Sequence, residues 1–150
     1  MEKILISACL VGDKCRYDGK GSYCPEIEAL LERYELVPFC PEVEGGLKVP
    51  RIPSEIKNNQ VINAQNIDNT AKFELGAEKA MSICSYLGIK KAILKDNSPS
   101  CGVHQIYDGG FHNRLIDGQG ITARYLKKRG IKVYSENEIS MLIEVKNEQK

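Results

Sequence analysis

No apolar run in this chain approaches the roughly 20 residues that a helix needs to cross a bilayer, so a membrane-spanning helix is excluded. Charge of one sign is also in short supply. The 21 basic residues stand against 20 acidic ones, and the net charge of +1 offers little general attraction for nucleic acid. The one basic group, Lys127-Lys128-Arg129, is expected near a helix C-terminus, where cations meet the helix dipole and need no partner. There is no G-x-x-x-x-G-K loop followed by Ser or Thr, which excludes a P-loop nucleotide hydrolase. Gly118-Gln119-Gly120 falls short of the full glycine fingerprint for dinucleotides and follows no plain strand. Close cysteine pairs are missing too: Cys9, Cys15 and Cys24 form a C-x5-C-x8-C set that matches no usual zinc spacing. The six cysteines are too scattered for a secreted disulfide scaffold, and repeats and low-complexity stretches are lacking.

What is present is an ordinary globular composition, 42% hydrophobic and 27% charged over 150 residues, expected to form one domain over residues 1–150. Met1-Glu2-Lys3-Ile4-Leu5-Ile6 enters directly into a strand pattern without the sections of a secretory signal, so a cytoplasmic location is expected. Strands are predicted at Ile4–Cys9, Leu36–Cys40, Ala92–Leu94 and Ile131–Tyr134. Apolar residues at helical spacing predict a helix carrying Ile27, Leu30, Leu31 and Tyr34, and a longer one from Phe73 to Leu87. A third helix is predicted between Gly120 and Gly130, and a fourth after the capping-box pattern of Ser135 and Glu138. The alternation is that of an α/β domain, a Rossmann-like parallel sheet flanked by helices. It is interrupted by a long loop excursion from Glu42 to Asn69, with a short possible strand at Gln60–Asn63, and by a small hairpin insert around Tyr107-Asp108-Gly109-Gly110.

In such a sheet the C-terminal strand ends share one edge, where ligands bind. Cys9, Cys40 and Cys101 each follow that edge, the last two in the turn-rich contexts Cys40-Pro41-Glu42 and Pro99-Ser100-Cys101-Gly102. Three soft ligands from distant parts of the chain are expected to converge around a metal or a cluster. Three thiolates would leave one iron of a cubane, or one position on zinc, open, and ligand count does not choose between them. Cys84, on the apolar stripe of a helix, is expected to be core filler. Glu42, Glu44, Asp96, Ser98 and Ser100 are candidates for proton transfer, with Glu42 first because it lies two residues from Cys40 and precedes Gly45-Gly46, which let a backbone approach a ligand. Arg16 and Arg51 could pair with a neighbouring carboxylate or orient a ligand, and His104 and His112 read as surface positions beside the hairpin turn.

Taken together, Ser7-Ala8-Cys9-Leu10-Val11-Gly12, Arg16-Tyr17-Asp18-Gly19, Pro38-Phe39-Cys40-Pro41-Glu42, Gly45-Gly46-Leu47 with Pro50-Arg51, and Lys95-Asp96-Asn97-Ser98-Pro99-Ser100-Cys101-Gly102 resemble the thiouracil desulfidase family. Tyr107-Asp108-Gly109-Gly110-Phe111 and Gly130-Ile131-Lys132-Val133-Tyr134-Ser135-Glu136 extend the resemblance over essentially the whole chain. The resemblance implies a non-redox 4Fe-4S cluster held by Cys9, Cys40 and Cys101, with an open iron that binds the sulfur of a thiolated base such as 4-thiouracil. Water then replaces sulfur at carbon, giving uracil and sulfide. Glu42 would manage protons, and Ser98 or Ser100 would position substrate or relay a proton. The expected partner is a small thiolated nucleobase or nucleoside, not tRNA, because the additional domain of longer relatives is missing. Cys15 and Cys24 are extra thiols expected near the mouth, without a family role. The rival readings are a cluster or sulfide carrier without turnover, a zinc-dependent hydrolase using the same cysteines, and a plain structural domain.

Overall fold

The computed structural model describes residues 1–148. Its centre is a four-stranded parallel sheet built from β1 (Glu2–Ser7), β2 (Tyr34–Phe39), β5 (Lys91–Leu94) and β8 (Lys132–Ser135), in the spatial order β2-β1-β5-β8. Among the elements between them are two short antiparallel hairpins, β3 (Ser54–Lys57) with β4 (Gln60–Asn63), and β6 (Gln105–Tyr107) with β7 (Leu115–Asp117). The α/β reading of the sequence is what the chain adopts.

Alternation along β1 explains why both faces of the sheet are covered. Leu5 joins Phe39, Ala92 and Leu94 in one apolar cluster with Ala80 and Cys84 of α3 (Thr70–Leu87) and Ala123 and Leu126 of α4 (Ile121–Lys128). Ile4 and Ile6 point the other way, with Ile93, onto Ile27 and Leu30 of α1 (Ile27–Leu31) and Ile139 and Leu142 of α5 (Ile139–Glu148). Cys84 is core filler, as its helical stripe predicts. Pro38 is tolerated because β2 is an edge strand, where a missing N–H removes no ladder bond on the open side.

Several boundaries differ from the sequence expectation. The first helix stops at Leu31, and Tyr34 opens β2 with its ring buried instead of closing the helix. Much of the excursion after Cys40 is loop, as expected, but it begins with one turn of helix, α2 (Pro41–Glu44), and the short strand expected at Gln60–Asn63 is β4, which pairs with β3 in a hairpin. That hairpin turns on Asn58 and Asn59, both at positive φ, the signature of a type I′ turn. The capping box at Ser135 is formed as predicted, with Glu138 Oε1 accepting the Ser135 N–H at 2.9 Å. Lys127 and Lys128 occupy the last turn of α4, where they complement its dipole.

Register places the site. Ser7 pairs with Phe39, and Ile6 with both Pro38 and Ile93, so β1, β2 and β5 end level with one another. The chain runs from β1 to β2 on one side and then crosses to β5 on the other, which puts the topological switch point between β1 and β5. Cys9 follows the first of these strands and Cys101 lies beyond the second.

Candidate functional site

A crevice of about 490 Å³ opens above that edge, within the usual range for small-molecule sites. Cys9, Cys15, Cys40 and Cys101 all line it, together with Glu42, Arg51, Lys95, Asp96 and Ser98. All six cysteines of the chain are free thiols.

Each thiol reaches the crevice by a local device. Beyond Ser7 the chain enters a 3-10 turn, Ala8–Val11, that carries Cys9 and is closed by Gly12 in the left-handed region at φ +99. This reversal brings Cys15 back to the crevice that Cys9 and Cys40 also line. Cys40 sits at the N-cap of α2, and its Sγ lies 3.8 Å from the Cys15 carbonyl oxygen. Cys101 is held in the loop after β5 by Asp96, whose Oδ1 accepts the N–H groups of Asn97, Val103 and His104 at 3.0, 2.9 and 3.1 Å. The Ser98 hydroxyl adds to this by accepting the N–H groups of Ser100 and Cys101, both at 3.0 Å.

These surroundings favour the neutral form of three of the thiols, Cys15, Cys40 and Cys101. Burial pushes the Cys101 thiol up to about 12, against the opposing hydrogen bonds from Ser7 and Ser100. The hydrogen bond to Cys40 acts to lower the Cys15 thiol, but the bond to Cys9 and burial outweigh it and raise it to about 11. Cys40 is raised by its bond to Cys15 and by burial. A bound cation would reverse this balance, since coordination deprotonates a thiol. The donor set is entirely soft, suited to iron–sulfur chemistry or another thiophilic metal.

Glu42 is the carboxylate beside the thiols. Its Oε1 accepts from Arg51 Nε at 3.1 Å and its Oε2 lies 3.4 Å from Ser98 Oγ. Burial raises its carboxyl above the ordinary value, with the Arg51 charge and the two hydrogen bonds pulling the other way. Arg51 is itself fixed at every nitrogen: Nη1 donates to the Lys48 carbonyl at 3.0 Å and Nη2 to the Cys15 carbonyl at 2.9 Å.

The other sequence candidates divide clearly. Ser100 is fully buried and exchanges a 2.9 Å hydrogen bond with Thr122, so it supports the Cys101 loop from beneath and does not line the crevice. Glu44 is exposed and stands apart. Gly45 and Gly46 do not bring backbone to a ligand: a Cβ on Gly45 would fall on the Lys72 carbonyl oxygen of α3, so Gly45 serves helix packing. Arg16 lines the crevice while donating to Ser22 Oγ at 2.7 Å and Asp18 Oδ2 at 3.2 Å. His104 pairs with Glu138 and His112 with Asp108, both outside the thiol cluster. Cys24 hydrogen-bonds Glu26 at 2.8 Å on the surface, so the Cys9, Cys15 and Cys24 set does not assemble. Of the two extra thiols expected near the mouth, Cys15 lines the crevice, beyond the left-handed turn at Gly12, and Cys24 does not.

Comparison with known proteins gives concordant results. A family model described as 2-thiouracil desulfurase matches residues 4–138. The uncharacterized protein YbbK of Bacillus subtilis (strain 168) is 37% identical over 150 residues, which is 93% of this chain and 99% of YbbK. The solved structure of the 4Fe-4S-dependent thiouracil desulfidase TudS superposes with a TM-score of 0.92 at 40% identity, covering 98% of this chain and 99% of that one. With the family model spanning most of its length, the chain belongs to the 2-thiouracil desulfurase family.

Proposed function

We propose that this protein removes sulfur from a thiolated nucleobase such as 4-thiouracil, releasing uracil and sulfide, with a 4Fe-4S cluster held by Cys9, Cys40 and Cys101. The observation that carries this reading is the meeting, in one crevice at the switch point of the sheet, of these three thiols with the Glu42 and Ser98 pair. The likeness to TudS, named as a 4Fe-4S-dependent thiouracil desulfidase, supports it. When bound, the cluster supplies a soft Lewis acid that polarises the C=S bond through sulfur.

The chain's own residues then handle water and protons. Ser98 Oγ accepts two backbone N–H groups, which leaves its hydroxyl proton directed to Glu42 Oε2 at 3.4 Å. Glu42 in its carboxylate form takes a proton from the water that adds to the thiocarbonyl carbon, and returns it to the departing sulfur. One water enters and one hydrogen sulfide leaves, so no electrons are exchanged. A carboxyl raised by burial is suited to both halves of that transfer. Arg51 keeps the same oxygen pair oriented through its 3.1 Å contact.

Anaerobic reconstitution with iron and sulfide followed by incubation with 4-thiouracil tests the reading. Uracil and sulfide should form in equal amounts. A fully loaded cluster without turnover would favour the carrier reading instead, and zinc without acid-labile sulfide would favour the hydrolase.

A further inference from the structure

The tip of the β6–β7 hairpin takes no part in the chemistry described so far, yet it borders the same crevice through Tyr107, Phe111 and Asn113. Phe111 stands at φ +57 and Asn113 at φ +61, both in the left-handed region. Asparagine enters that region at little cost, whereas for a bulky aromatic it is an outlier that the surroundings must impose. They do so from two directions. Glu55 on β3 accepts the N–H groups of Gly109 and Phe111 at 3.0 and 3.2 Å, and Asp108 accepts the Gly110 N–H at 2.9 Å while pairing with His112 at 3.0 Å. Gly109 packs so tightly on β3 that a Cβ there would stand 2.8 Å from the Ile56 carbonyl oxygen.

This enforced conformation does not serve the core, because the Phe111 side chain remains 39% exposed. What it supplies is an aromatic surface at the rim of the crevice. The Asn113 side-chain amide, two residues on, has no partner among the described residues, so its donor and acceptor are both available. An aromatic face beside an unpaired amide is the complement of a pyrimidine, which offers a π face and, on its edge, an N–H next to a carbonyl.

We propose that Phe111 and Asn113 form the base-recognition element of the crevice, the ring of Phe111 stacking on the pyrimidine and the Asn113 amide pairing with its N–H and carbonyl edge. This rests on the desulfidase reading and names the residues that select its substrate class. Glu55 acts through them, as a positioning residue that fixes the hairpin tip.

The test uses reconstituted holoenzyme, with 4-thiouracil as substrate and uracil as the calorimetric ligand. Phe111→Ala should raise both the KM for 4-thiouracil and the Kd for uracil about tenfold while kcat stays within about twofold, the loss expected for one stacking contact. Phe111→Tyr should restore both, and Asn113→Ala should weaken uracil binding in the same direction. Thermal unfolding of each variant shows whether the fold is kept, and Phe111→Tyr, which retains an aromatic ring, supplies a fold-preserving comparison. Variants that desulfidate and bind uracil as the parent does, or that lose kcat with uracil affinity intact, overturn the proposal while leaving the desulfidase reading in place. A parent holoenzyme that neither turns over 4-thiouracil nor binds uracil overturns both.

Discussion

Arg51 Nε lies 3.1 Å from Glu42 Oε1, with the arginine side chain 8% and the glutamate side chain 16% exposed. The pair is therefore largely desolvated, and each charge depends on the other. Removing one partner of a buried pair strands the remaining charge, at a cost of about 3–5 kcal/mol. Arg51→Ala should lower the urea midpoint accordingly, and Arg51→Lys should do so by less, since it keeps the charge but loses the fork that also holds the Lys48 and Cys15 carbonyls. Because the Arg51 charge draws the Glu42 carboxyl downward, its loss lets burial raise that carboxyl further. Activity that requires the carboxylate should then fall away at higher pH in Arg51→Ala than in the parent, which a kcat/KM profile measures.

Glu42→Gln keeps the shape of the side chain and removes its proton transfer. Turnover should drop by about 10²–10⁴-fold, the usual worth of a positioned acid–base group. Iron content should remain that of the parent. Ser98→Ala has a second consequence, because Ser98 Oγ is the acceptor for the Ser100 and Cys101 N–H groups. Its loss should cost about 1–3 kcal/mol of stability through unsatisfied donors as well as slowing turnover. A Ser98→Ala variant as stable as the parent would show that water takes over those two donors.

The three thiols at strand ends were legible in the sequence because strand patterns and parallel topology fix where such residues go, without any knowledge of side-chain contacts. Glu42 was legible for the same reason, being carried by the Cys40 turn. Cys15 was legible as a thiol near the mouth but not as a neighbour of Cys40, since that placement follows the left-handed turn at Gly12, a backbone feature that periodicity does not register. Ser100 could not be separated from Ser98 by sequence either: the two alternate across one turn, one facing the crevice and one facing Thr122. Of the hairpin in the excursion, β4 was legible at Gln60–Asn63 but its partner β3 was not, because Asn58-Asn59 is a weaker turn signal than Asn-Gly.

Single cysteine replacements separate the roles of the thiols. Cys9→Ala, Cys40→Ala and Cys101→Ala should each lose iron and acid-labile sulfide after reconstitution. Cys24→Ala should retain both, since its thiol is hydrogen-bonded to Glu26 and does not line the crevice. Cys15→Ala should also retain iron, which would mark it as a neighbour of the ligands despite its place in the same crevice, with Cys40 Sγ 3.8 Å from its carbonyl oxygen. Loss of iron in Cys15→Ala would instead make it a fourth ligand and close the site.

Asp96 connects pH to the Cys101 loop. Burial acts to raise its carboxyl, but the backbone N–H groups of His104, Asn97, Gln105 and Val103 outweigh it and hold the group below the ordinary aspartate value. A carboxyl depressed in the folded state contributes stability above its unfolded value near 3.8, and that contribution is lost as pH falls through the folded value. Acid unfolding of the parent should therefore steepen below about pH 4, whereas Asp96→Asn should be less stable at pH 7 and show less of this acid-dependent loss. Equal pH dependence in the two proteins would assign the acid transition to other carboxylates.

Gly76 tests whether α3 positions the Cys40-Pro41-Glu42 turn. It lies in the interior of α3, where replacing glycine by alanine ordinarily stabilises a helix by about 1 kcal/mol. Here a Cβ would fall on the Pro41 carbonyl oxygen, with the rest of the Pro41 backbone close behind. Backbone cannot swing aside as a flexible side chain does, so the helix and the turn must separate. Overpacking of this kind costs about 1–3 kcal/mol, which outweighs the gain in helix propensity. Gly76→Ala should thus be less stable than the parent in urea. Because Pro41 stands between Cys40 and Glu42, the displaced turn should carry both residues away from Ser98 and Cys101, lowering iron retention and turnover together. Gly88→Ala, at the C-cap of the same helix with open space around it, is the control: its strain at φ +71 should reduce stability without touching the crevice or the iron content.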